Sequence, residues 1–264
     1  MIETQELTLF VEVCKEGHQI SRNSVELVDL LNDLDNEKTF PKLYPTPEKY
    51  QSAKERASRI EKIAQAQEKS GFPILYNLAI VRLVTILEAA VERFVISALS
   101  TPSKWKDQKL IRSIEGPLIE FSELPQDQRS EYLYGQLREA VRPRRHSGIG
   151  RYEALLDVVG LGGGVADSVR RALLELIEAR NLIVHKAAIV DTVFMTTCSW
   201  LKVSIGERFD VTEKRFSLYV LAANWYFLEL ERRSENPEAL TSNVVSTMDR
   251  FSERVKQGLK DSTN

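Results

Sequence analysis

Apolar residues recur at three- and four-residue spacing along most of the chain, a period that predicts helices almost throughout. The sharpest case is Val165 to Lys186, which reads as one amphipathic helix with Leu173, Leu176, Ile177 and Val184 on its buried arc. Ile74 to Ser100 predicts a longer, more apolar helix with Ile80, Val84, Leu87, Val91 and Phe94 along its main face. Glu88 lies on the flank of that face, an odd place for a carboxylate, whereas Arg82 and Arg93 fall on the solvated side.

Ser21 to Asn32 predicts a short amphipathic helix. Thr46-Pro47 then offers a cap residue followed by proline at the first helical position, predicting a polar helix that reaches Lys69. Ser70-Gly71-Phe72-Pro73 breaks it. Shorter helices with stops at Pro102, Pro117 and Pro125 are expected next, followed by helices over Asp127 to Val141 and Tyr152 to Val159. Thr192 to Asp210 loses the period, and Gly206 to Val211 reads as a short extended piece. Two last helices are predicted, Thr212 to Arg233 and Leu240 to Lys260. The fold class is therefore all-α, with residues 1–70 an N-terminal helical extension and residues 71–264 the main helical domain with its C-terminal helices.

Composition adds mainly exclusions. At 43% hydrophobic and 28% charged residues the chain has the make-up of a soluble globular protein. A formal net charge of −2 gives no global signature for nucleic acid, so any such contact must come from a local basic patch. Cys14 and Cys198 are too few and too far apart for a disulfide framework or a metal-ligand set. No metal and no cofactor is expected. The acidic start lacks the pattern of a secretory signal, and the apolar window from Ile74 is interrupted by charges, so a cytoplasmic protein with no membrane partner is expected.

The candidate chemistry lies on the helix ending at Lys186. Arg180 projects into the buried arc, Asn181 near its edge, and His185 one turn beyond Asn181 on the same flank. A guanidinium among core positions costs several kcal/mol unless it is paired and hydrogen-bonded. It is either a structural ion pair or a functional group. Upstream, Arg142, Arg144, Arg145, His146 and Arg151 form a basic, glycine-containing segment, either a clamp for RNA phosphates or a solvated or partner-binding loop. Gly162 to Gly164 lacks the lysine and hydroxyl residue of a P-loop and reads as a hinge. Trp225-Tyr226-Phe227 reads as core.

The run Arg180-Asn181-Leu182-Ile183-Val184-His185 resembles the signature of the HEPN superfamily: an arginine, commonly followed by a polar residue, and a histidine after four to six intervening residues near a helix C-terminus, four of them here. The long apolar helix with its internal acid, Glu88, is similar to an early core helix of that family, and the resemblance covers Phe72 to about Arg233. It implies an antiparallel helical bundle, often a homodimer with facing motifs. It also implies metal-independent RNA cleavage in many members, frequently in toxin–antitoxin or antiviral defence systems with an antitoxin or defence partner. Other members are non-catalytic modules binding nucleotide, nucleic acid or a protein.

RNA carries its own nucleophile, the 2′-hydroxyl. Imidazole, with an ordinary pKa of about 6.5, suits proton transfer near neutrality, which makes His185 the candidate acid or base. Arg180 would meet charge building on phosphorus, Asn181 would orient the histidine or donate to phosphate, and Glu88 would pair with Arg180. One histidine supplies one proton-transfer role, a physical reason to expect two chains around one substrate.

Overall fold

The structure is a computed structural model that describes residues 1–35, 43–101, 105, 108–112, 114–116, 118–141, 148–234 and 242–261. It is all-α, with no strand among the described residues. The chain divides into two compact units.

The first unit comprises Gln5–Ala79 with Asp210–Glu213. It takes in most of α1 (Ile2–Ser21), then α2 (Ser24–Asp35), α3 (Pro47–Lys69) and the start of α4 (Pro73–Leu99). The predicted start of α3 is as drawn from sequence, since the Thr46 hydroxyl accepts from Lys49 N at 3.3 Å and Pro47 opens the helix. Its end is forced by Gly71 and Phe72 at φ 77° and 59°, where the left-handed backbone stops propagation. α2 packs on α3. Across that pair Lys54 Nζ lies 3.0 Å from Asp29 Oδ1, and the Tyr50 hydroxyl donates to the same carboxylate.

The helix α1 is absent from the sequence reading. Its apolar residues lie on two opposite faces: Leu7 and Val11 are buried, while Leu9, Val13 and Ile20 are exposed. No one-sided stripe announces it.

The second unit comprises Met1–Thr4, Ile80–Phe209 and Lys214–Asn264. Its helices after α4 are α5 (Lys109–Arg112), α6 (Leu118–Glu123), α7 (Gln126–Ala140), α8 (Gly150–Val158), α9 (Asp167–Lys186), α10 (Thr192–Thr197), α11 (Glu213–Ser234) and α12 (Ser242–Asp261). The core is supplied by Leu83, Leu87 and Val95 of α4, Leu156 of α8, Leu173 and Leu176 of α9, and Tyr219 and Tyr226 of α11. Trp225 and Phe227 are also buried, as expected. By length and composition α4 is apolar enough to cross a bilayer, against the sequence expectation, yet 56% of its most apolar window is buried in the protein.

Two buried charge clusters fix the frame around α9. Glu175, 1% exposed, accepts from the Trp200 indole at 2.7 Å and the Tyr219 hydroxyl at 2.8 Å, and pairs with Arg215. Cys198 is buried beside them, and burial together with Glu175 and Glu178 pushes its thiol up to about 12. In the second cluster Arg233 donates to Glu153 at 2.8 Å, to Glu229 at 2.9 Å and to the carbonyls of Leu161 and Gly164 at 3.2 Å.

That second cluster corrects the reading of Gly162 to Gly164 as a hinge. A Cβ on Gly163 would stand 2.8 Å from the Arg233 guanidinium, so glycine is there to admit the arginine, which pins the loop. A second correction concerns Thr192 to Thr197, whose β-branched residues obscured a helix. Asp191 caps it by accepting from Phe194 N at 2.9 Å, and Phe194 is buried. The extended piece reduces to one antiparallel bridge between Ile189 and Arg208.

Candidate functional site

The C-terminal end of α9 carries the candidate residues. Ala187 and Ala188 take left-handed φ values of 51° and 64°, and Ala188 N closes the helix on the Leu182 carbonyl at 3.1 Å. The last turn thereby projects beyond the core. Val184, expected on the buried arc, is exposed there together with His185.

Arg180 is half-buried and lines a cavity of about 550 Å³ formed by α4, α7, α8 and α9. Its Nη1 donates to Asn181 Oδ1 at 3.3 Å, and its Nε is buried with no hydrogen-bond partner among the described residues. Glu88 lines the same cavity but does not take Arg180 as its partner. It accepts from Arg151 Nη2 at 3.1 Å and from the Tyr152 hydroxyl at 3.4 Å. The reason is geometric: the Arg151 guanidinium lies over the Tyr152 ring, 5.4 Å from its centroid, already aimed at the carboxylate. Burial, with Glu88 adding to it, pushes the Tyr152 phenol well above its ordinary value, so it stays a proton donor here. Glu88, Glu92 and Glu139 face Arg138, Arg151 and Arg180 across this space, three charges of each sign.

Asn181 and His185 line a different hollow, of about 440 Å³, between α9 and α10. Glu178 and Asp191 line it too. Glu178 is raised above the usual carboxyl range, first by burial and then by Asp191, against the lowering effect of a hydrogen bond with Asn181. Asn181 therefore stands between the two spaces: it is bonded to Arg180, which lines the first, and it lines the second beside Glu178. Sequence reasoning passed over Glu178 and Asp191. The signal for Glu178 was present, since it stands three residues before Asn181 and seven before His185, the spacing of one helical face.

The basic candidates divide. Arg151 is engaged with Glu88, whereas Arg142, Arg144, Arg145 and His146 lie outside the described residues. Among the described residues no group of three His, Cys, Asp or Glu side chains is placed to hold a metal ion. Compared with protein-family models, curated proteins and solved structures, the chain matches none.

Chemically, the end of α9 offers a guanidinium on one side of Asn181, and an imidazole with a carboxyl of raised pKa on the other. That set can bind an anion and move a proton in each direction.

Proposed function

We propose that this chain is a HEPN-like, metal-independent endoribonuclease that works as a homodimer, in the manner of a toxin or antiviral effector in the cytoplasm. The observation that carries the reading is Asn181, which joins Arg180 to the hollow shared by His185 and Glu178. In this scheme the 2′-oxygen of RNA bonds to the adjacent phosphorus and the bond to the 5′-oxygen breaks. One of His185 and Glu178 takes the 2′-hydroxyl proton while the other protonates the leaving oxygen. Arg180 meets the charge on the non-bridging oxygens. Homodimerisation is supported by an apolar rim of exposed Val184, Ile189 and Val193 around His185, a surface suited to a second copy of α9 and α10.

The test is RNA cleavage by purified protein in excess chelator, alongside His185→Ala and Glu178→Gln. Cleavage that survives chelation and falls roughly 10²-fold or more in each variant supports the reading. Equal activity of wild type and His185→Ala defeats it.

A second reading is favoured by one observation: Arg180 and His185 line separate hollows in one chain. In that reading the chain is a non-catalytic module holding a nucleotide, nucleic acid or protein carboxylate through Arg180. Binding without turnover, weakened by Arg180→Ala, would be its mark.

A further inference from the structure

The helix α1 carries a second surface, independent of the nuclease reading. Glu6, Leu9, Val13, Glu16 and Ile20 follow one another at steps of three, four, three and four residues, the alternation of a coiled-coil seam. All five are exposed, Leu9 and Ile20 at 66%. They lie opposite the face that buries Leu7 and Val11. Single exposed apolar residues are ordinary; a register of them along the solvent side of a helix marks a docking face.

The two glutamates in the seam decide what docks. Glu12, beside the seam, is neutralised by Lys15 at 3.5 Å, but Glu6 and Glu16 have no ion pair among the described residues. Symmetry argues against a second copy. Positions 6 and 16, like 9 and 13, are equidistant from residue 11. A parallel pair of α1 helices sets Glu6 on Glu6 and Glu16 on Glu16; an antiparallel pair sets Glu6 on Glu16. Both registers bury carboxylate against carboxylate, which disfavours self-pairing.

We infer that α1 docks a helix of another protein, one with an apolar seam bearing Lys or Arg at two seam positions about 15 Å apart, the rise of ten helical residues. The cations would sit against Glu6 and Glu16, and the apolar seam against Leu9, Val13 and Ile20. Such a partner gains contacts and loses the repulsion that blocks the homomeric alternative.

The probes are two synthetic three-heptad helices with leucine and isoleucine seams. One carries lysine and the other glutamate at the two seam positions ten residues apart. Titrated against the full-length protein by fluorescence anisotropy, the lysine peptide is expected to bind at least about tenfold more tightly. Leu9→Asp with Val13→Asp should abolish binding, and Glu6→Lys with Glu16→Lys should reverse the preference. Because these residues lie on the exposed face, circular dichroism should show every variant folded. Equal binding of both peptides, or of neither, overturns the inference. So does sedimentation showing that Leu9→Asp dissolves a wild-type oligomer, or binding of α1 to neutral lipid vesicles in place of the peptide. No arm uses RNA cleavage, so a failed nuclease assay leaves the inference standing.

Discussion

Asn181 Oδ1 accepts from Arg180 Nη1 at 3.3 Å, and Asn181 lines the His185 hollow beside Glu178, so one side chain stands between a guanidinium and a carboxyl at the edge of α9. Asn181 holds the Glu178 pKa down against burial and Asp191. Asn181→Ala should therefore move Glu178 further up. A carboxyl-carbon NMR titration reads this directly, and a downward or absent shift would show that the amide does not reach Glu178.

The raised pKa of Glu178 has a consequence for stability. A carboxyl whose folded pKa lies above its unfolded value binds more protons when folded. Its contribution is favourable below the unfolded pKa, near 4.3, and is lost as pH rises through the folded value. Glu178→Gln should then leave stability unchanged in acid and raise it at neutral pH. Urea melts at pH 4 and pH 7 compare the two. A variant less stable at pH 7 than wild type would contradict the sign. If the nuclease reading holds, the same variant loses activity while gaining stability, the trade expected at a working site.

Much of this arrangement was legible in the sequence, and what was not has identifiable causes. The helices α4 and α9 bury one face each, and their boundaries fell within two residues of the expected ones. The helix α1 was hidden because its apolar residues serve two faces, one for the core and one for solvent. Asn181 and His185 were expected on one flank and line one hollow. The partner of Glu88 was not readable: the choice between Arg151 and Arg180 depends on the path of α8, which no local period encodes.

Glu175 is a costly residue to truncate. It accepts from Trp200 and Tyr219 and pairs with Arg215 at 1% exposure. Removing one partner of a buried pair leaves the other charge without its counterpart, a cost of about 3–5 kcal/mol. Glu175→Ala should lower unfolding stability by that order in guanidinium chloride, whereas Glu175→Gln, which keeps an acceptor oxygen, should lose less. Similar losses for both would mean that shape, not charge, holds the cluster.

Ala187 ends α9 with φ 51°, a left-handed value that costs an L-residue roughly 1–2 kcal/mol. Glycine carries no such penalty but has more freedom to lose from the unfolded chain, about 0.4–1 kcal/mol. Ala187→Gly should thus be neutral to stabilising by about 1 kcal/mol, which thermal or denaturant melts would detect. Ala187→Val, β-branched at the same φ, should destabilise. If both substitutions destabilise alike, the left-handed turn is not the conformation that caps the helix.

The cavity holding Arg180 is balanced by Glu88, Glu92 and Glu139, so an incoming phosphate meets as many carboxylates as guanidiniums. Glu88→Gln tips that balance to one net positive charge and frees Arg151 from its ion pair while leaving the Tyr152 hydroxyl an amide oxygen. With side chains 44% and 38% exposed, the Arg151–Glu88 pair contributes at most about 1 kcal/mol, so folding should be little affected. If Arg180 serves an anion, inorganic phosphate and short RNA should bind Glu88→Gln more tightly than wild type, with a steeper dependence on salt. Isothermal titration at two salt concentrations separates the outcomes. Unchanged affinity would mean that the anion does not enter this cavity, and would move the phosphate site to the His185 hollow.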